Sequence, residues 1–274
     1  MKLTKVNADE SGDNNFSFDN ILNELDNETL FVKTIGNVEI KALTMKQQRK
    51  IMGGGYDNVE ISAKFSDIYN DFIRENVTLK DEIVSPGQVI TLEMRPFILN
   101  ALRVVSLGNV YYDDETDKEY IMAEPTPEDM KPHIPDKDIE FGNIKITLSV
   151  PNLDRDTKYN GHLCTALGPY KKKRNFSDSD AFPVMDLYQL YEIFKYISVV
   201  SFKGRDYDFD KVAMNDKTRL VNGLHATIVN QITDYIKEVE DVKERALKAT
   251  NKETGESVIP NFYTMFFAKT TRKG

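Results

Sequence analysis

The run from Thr91 to Val110 constrains this chain more than any other stretch, because it reads as one buried helix with a hard stop. Phe97, Ala101 and Val105 fall on one stripe, and Ile98, Leu102 and Val105 on the adjoining one, the spacing by which a helix faces a core. Pro96 has no amide donor, so it belongs in the first turn, where that donor would have no partner. Gly108, followed by Asn109, can take the left-handed conformation that ends a helix. Arg103 sits inside this apolar segment, and two readings of it stand. In one, the side chain lies on the rim, its stem packed and its head in water. In the other, it ties the helix to a carboxylate on a neighbouring element or a partner chain, which makes it a candidate partner-binding residue.

The rest of the chain divides by texture: a polar arm over 1–29, a hairpin plus helices over 30–106, a β ribbon and loop region over 107–182, and a helical C-terminal region with an aromatic tail over 183–274. In the arm, Phe16, Phe18 and Ile21, with Leu22 and Leu25, make an amphipathic patch. It is either a helix on its own domain or an arm docked on a neighbouring subunit. Alternation around Gly36-Asn37 predicts a hairpin over 30–43. Thr44 and Gln47 form a capping-box pattern ahead of a helix from Met45 to Met52, closed by Gly53-Gly54-Gly55. A second amphipathic helix covers Ile61 to Asn76, and Val77 to Val89 reads as a connection with a turn at Ser85-Pro86-Gly87.

Beyond Gly108, two β-prone runs, Val110 to Tyr112 and Tyr120 to Met122, flank a polar tip as a β ribbon. Four prolines between 123 and 138 mark an extended crossing segment. Alternation from Ile139 to Val150 predicts one strand paired with the ribbon. Residues 152–182, rich in Asn, Asp and Gly, read as loop and hold the basic run Lys171 to Arg174, read as solvated or set against an acidic partner face. Leu187 to Val200 predicts an apolar helix. After it, Gly204 makes a tight turn in a half-buried hairpin carrying Asp206, Asp208 and Asp210 on one face. The longest helix is expected from Lys217 to about Thr250, its stripe Val221, Leu224, Ile228, Ile232, Tyr235, Val239, Val242 and Ala246 buried internally or paired in part with a partner helix. Gly255 marks a turn. The tail, with Phe262, Tyr263 and Phe266 as candidate partner contacts, is too apolar to leave in water alone.

With 274 residues, 40% hydrophobic and 29% charged, the chain suffices for one large domain or two small ones. Its net charge of −8 argues against a general nucleic-acid binder. Cys164 is the only cysteine, so no internal disulfide is possible, and a reducing compartment fits. No apolar segment follows Met1-Lys2-Leu3-Thr4-Lys5, and no apolar run is long enough to span a bilayer. The expectation is a soluble intracellular protein without a signal peptide or membrane contact. His133, His162 and His225 are far apart and lack metal-ligand spacing. No nucleophile-elbow order, dinucleotide fingerprint or calcium loop is present. No catalytic residue, metal or cofactor is therefore expected, and the informative features are surfaces that bind. The competing enzyme reading is a hydrolase or transferase assembled from scattered carboxylates such as Asp206 and Asp208.

The order of several segments then carries a resemblance. Val38-Glu39-Ile40-Lys41-Ala42-Leu43-Thr44-Met45-Lys46-Gln47-Gln48 resembles the opening strand and charged helix of the baseplate hub subunits of T-even-like contractile-tailed phages. Leu102-Arg103-Val104-Val105-Ser106-Leu107-Gly108 is similar to their helix ending in Leu-Arg-x-x-Ser-x-Gly, and Lys145 to Pro151 to their strand ending in proline. Ile193 to Phe209 resembles a helix and short hairpin, Leu220 to Tyr235 the long C-terminal helix, and Val258 to Phe267 a terminal aromatic segment. Members often carry Cys-x-x-Cys pairs where this chain has Asp113 to Glu119 and Asn251 to Glu256, so no zinc knuckle is expected here. The expected fold is α+β, helices around a small antiparallel β ribbon region with a long C-terminal helix. The resemblance implies a noncatalytic role at the centre of the phage baseplate, as a hub component or hub assembly factor; a tail assembly chaperone absent from the virion is the alternative. Partners would be other baseplate and tail proteins (hub, wedge or tape-measure), in the virion tail and, during assembly, the host cytoplasm.

Overall fold

Turn chemistry and alternation place the first sheet. In the computed structural model, β1 (Val32–Ile35) and β2 (Val38–Lys41) pair antiparallel across Gly36-Asn37. Gly36 has φ +60°, at the first central position, where a II′-type loop demands glycine. The structure describes residues 31–53, 61–80, 83–113, 117–171 and 178–260. The chain separates into units 1–31 and 32–274, and only Phe31 of the first is described, so the architecture below is that of the second.

Thr44 closes both arms of the capping box: its amide donates to Gln47 Oε1 at 2.8 Å and its hydroxyl accepts from the Gln47 amide at 3.3 Å. Helix α1 (Met45–Gly53) follows, then α2 (Ile61–Asn76). The expected connection after α2 instead begins with β3 (Val77–Leu79), which pairs with β2, and contains a short helix, α3 (Pro86–Val89). Strand β3 is short, and its inward residues Val77 and Leu79 are buried where β3 pairs with β2, a signal no local pattern carries.

Helix α4 (Arg95–Leu107) has Pro96 in its first turn, is buried from Pro96 through Arg103, and stops at Gly108 with φ +84°. Asn100 Nδ2 donates to the carbonyls of Ala123 at 2.7 Å and Ala246 at 2.8 Å, fastening α4 to two other elements. The ribbon is β4 (Val110–Asp113) and β5 (Lys118–Met122). Two later strands, β10 (Ala249–Thr250) and β11 (Ser257–Val258), extend it to a sheet of order β11-β10-β5-β4. This brings together the two segments in which the resemblance implies cysteine pairs. Here Lys118 meets Glu256 at 2.6 Å, and Asn251 Nδ2 donates to the Glu119 carbonyl at 3.0 Å.

The expected single strand over 139–150 is instead a hairpin, β6 (Lys137–Phe141) and β7 (Ile144–Leu148), turning at Gly142 with φ +60°. It pairs with β8 (Ile197–Phe202) and β9 (Arg205–Asp208) in the order β6-β7-β8-β9, not with the ribbon. The expected loop at 152–182 contains α5 (Leu153–Ala166) and α6 (Gly168–Lys171). Asn152 Oδ1 caps α5 by accepting from the Arg155 amide at 2.9 Å. Helix α7 (Asp178–Tyr196) gives way to β8 without a loop, so the helix expected through Val200 ends earlier; Val199 and Val200 pair with Thr147 and Ile146.

The expected single long helix is two, α8 (Met214–Asn222) and α9 (Ala226–Leu247). The break falls at Gly223, and the His225 ring nitrogen accepts from the Thr227 amide to start α9. The stripe Ile228, Ile232, Tyr235, Val239 and Ala246 is buried within the chain, against α4 and α7. The α+β expectation holds, with three small antiparallel sheets in place of one ribbon region.

Candidate interaction surface

Helix α5 carries a polar centre that joins four helices. Asp156, in its first turn, is 1% exposed. Its Oδ2 accepts from Ser66 Oγ at 2.7 Å and Asn70 Nδ2 at 2.8 Å on α2, from Arg95 Nη1 at 3.0 Å at the start of α4, and from Asn160 Nδ2 at 3.2 Å. Its Oδ1 lies 2.8 Å from Lys195 Nζ on α7, and that ammonium also meets Glu192 at 2.9 Å. Burial opposes the Asp156 charge, yet Lys195 and Arg95 outweigh it and hold the carboxyl well below the usual carboxylate range. Beside it, Arg74 bridges α2 to α5 through Asp154 at 3.0 Å and the Leu153 carbonyl at 3.1 Å.

A second cluster lines an open cleft of about 560 Å³ bordered by Asn152, Asp154, Arg155, Lys158 and Asp210. Tyr159 donates to Asp210 Oδ1 at 2.9 Å and accepts from buried Lys217 at 2.8 Å. The Lys217 ammonium lies 5.0 and 5.1 Å from the ring centroids of Tyr159 and Phe209. Burial first, and then the Lys158 charge, bring its pKa down to about 8. Asp210 also faces Lys158 at 3.4 Å and Arg155 at 3.5 Å. These groups act on one another: they clamp α5 to the segment that follows β9.

The residues singled out from sequence fall differently. Phe16, Phe18 and Ile21, and Phe262, Tyr263 and Phe266, lie outside the described residues. Arg103 does not lie on a rim. It is 0% exposed, and its guanidinium donates to the Val110 carbonyl at 2.7 Å and to the Gly108 carbonyl, so it closes the end of its own helix and the start of β4. Burial pulls its pKa down to about 10, which still leaves it charged at neutral pH. Cys164 is on helix α5, and burial raises its thiol pKa.

Asp206 and Asp208 are exposed and turn to their own neighbours. Asp206 accepts from Ser201 Oγ at 2.5 Å, while Asp208 caps the turn after β9 and meets Lys211 at 3.0 Å. Among the described residues no group of His, Cys, Asp and Glu could hold a metal ion, and no helix is long and apolar enough to cross a membrane.

Sequence reasoning missed one apolar surface. The registers of the β6-β7-β8-β9 sheet put Phe141, Ile144, Phe202 and Arg205 in one row of one face, and Ile139, Ile146, Val200 and Tyr207 in the next. Ile139 and Ile146 are core, at 2% and 0% exposure, but Phe202 and Tyr207 stand at 44% and 48%. The sequence reading of a half-buried hairpin rests on Tyr207 and Phe209 alternating with Asp206, Asp208 and Asp210; in the structure β9 is exposed along its length and Phe209 is buried in the turn that follows it.

With this geometry in hand, comparison with known proteins is informative. Residues 24–267 match the model of a family described as T4 bacteriophage base plate protein. No curated protein and no solved structure matches the chain. The match takes in every described element from β1 to β11, and such a family implies a place in the virion tail and contacts with other tail or baseplate proteins. The chain belongs to the T4 bacteriophage base plate protein family and is a baseplate protein of a T4-like phage.

Proposed function

We propose that the chain works at the baseplate hub, as a hub component or a factor that assembles the hub, and that it acts by protein–protein contact without catalysis. The observation that carries this reading is the family match over residues 24–267, taken with an order of segments that resembles hub subunits. The internal chemistry supports it. Asp156, Lys195, Tyr159 and Lys217 direct their polar groups at one another and at the helices they join. The carboxylate-hydrolase alternative draws no support from Asp206 and Asp208, which face solvent and separate neighbours. Partners are hub, wedge or tape-measure proteins, met in the host cytoplasm during assembly.

The test is reconstitution with the purified baseplate and tail proteins of the same phage, followed by sedimentation. A defined complex with one or more of them is expected. A chain that stays monomeric beside all of them refutes the reading. Mass spectrometry of purified virions then separates a permanent hub part from a chaperone that leaves before maturation.

A further inference from the structure

Resting on that contact role, the geometry points to the open corner of the β6-β7-β8-β9 sheet as the seat for a segment of another baseplate protein: an acidic segment carrying an aromatic or branched apolar side chain. The corner is a continuation of the core face. Along the row Ile139, Ile146, Val200, Tyr207 the burial falls from complete to partial, and the row Phe141, Ile144, Phe202, Arg205 ends in the open. Phe202 and Tyr207 are therefore large apolar side chains on a sheet, each about half exposed among the described residues.

Charge complementarity names the occupant. The ionised groups at this corner are Arg205 and Lys203, whose ammonium lies 5.2 Å from the Phe202 ring centroid. Neither has a carboxylate partner among the described residues. The sheet's carboxylates, Asp138, Glu140, Asp206 and Asp208, all share the opposite face, three of them bonded to Thr147, Ser201 and Lys211. In a chain of net charge −8, an apolar corner flanked by Arg205 of the sheet and Lys203 of its turn selects an acidic apolar partner. A second copy docked by two-fold symmetry would set Lys203 and Arg205 against themselves. Strand addition at β9 is opposed by the charges of Arg205, Asp206 and Asp208 along that short edge. The turn agrees: Lys203 and Gly204 have φ +50° and +73°, a loop whose first place suits Asn, Asp or Gly better than lysine.

The experiment places a photo-crosslinking side chain at position 207 of the full-length protein, within assemblies made from the phage's own purified baseplate and tail proteins. The crosslink is expected on a segment of another protein with Asp or Glu beside an aromatic or branched residue. Affinity for that protein should fall about tenfold in Lys203→Asn/Arg205→Gln and similarly in Tyr207→Ser, and weaken with salt. Lys203→Asn should leave the melting temperature unchanged or raised, because Asn-Gly suits the turn. A crosslink to a second copy, to the same chain or to a basic segment overturns the proposal, as does unchanged affinity in the variants. If the wild-type protein joins the assembly while position 207 stays uncrosslinked, the corner is refuted and the hub reading stands. If it joins no assembly, both fall.

Discussion

Replacing Asp156 by Asn keeps the shape of the polar centre and removes its charge. Asn offers one oxygen where Asp156 offers two, so its amide must face either the Lys195 ammonium or the donors of Ser66, Asn70 and Arg95. Breaking a buried pair from one side costs about 3–5 kcal/mol. Lys195 keeps Glu192 at 2.9 Å, and Arg95 retains 22% exposure through which water reaches it. The lower end, about 3 kcal/mol, is therefore expected, a fall in melting temperature of roughly 6–12 °C for a domain of this size.

The pH dependence gives a second reading of the same group. The folded carboxyl titrates below its ordinary value of 3.8, so its contribution is present above that pH and is lost as pH falls toward the folded value. The unfolded chain takes up the proton first, and one proton corresponds to a slope of about 1.4 kcal/mol per pH unit. Urea unfolding followed by circular dichroism, from pH 7 down to about 3, should show the wild type losing this contribution once pH falls through about 4, and a smaller loss there in Asp156→Asn. A variant within about 0.5 kcal/mol of the wild type at pH 7, with the same acid slope, would refute the claim that this carboxylate holds the four helices together.

Three further outcomes follow from the same contacts. Lys217 titrates near 8 folded against 10.5 unfolded, so the unfolded chain binds the extra proton between those values and stability from this residue rises with pH from about 8 toward 10; Lys217→Met should flatten that rise and be neutral or stabilising at pH 7 by urea midpoint. A Cβ at Gly87 would stand 2.1 Å from Asp154 Oδ1 and 3.0 Å from Arg74 Nε, so Gly87→Ala should cost about 1–2 kcal/mol in thermal melts, and adding Asp154→Ala should recover part of it. Arg103→Lys loses the forked donation to Gly108 and Val110 and should cost about 2 kcal/mol, with faster amide exchange along β4.

Much of the local structure was legible without coordinates. The Gly36-Asn37 hairpin, the Thr44–Gln47 cap, helix α2 from Ile61 to Asn76 and the stop at Gly108 each depend on residues close in sequence, where turn chemistry and apolar period act directly. Helix α5 was read as loop because its inward face is partly polar. Asp156 and Asn160 are buried beside Leu153, Tyr159 and Leu163, so apolar periodicity understates what faces inward. Arg103 misled for the same reason: a buried charge breaks the rule by which charge marks a rim, and only its carbonyl partners explain its place.

By itself, the amino-acid order determined the first hairpin, the capped start of α1, the ends of α2 and the stop of α4, the α+β class, and a sequence pattern recognisable as that of a phage baseplate protein. Tertiary structure decided which hairpin joins which sheet, that the long stripe breaks at Gly223, and that Asp156 is a junction. It also decided that Phe202 and Tyr207 stand about half exposed among the described residues. The reason is that strand partners and ion pairs lie up to 138 residues apart, and their energies depend on burial, which exists only once the chain has closed on itself.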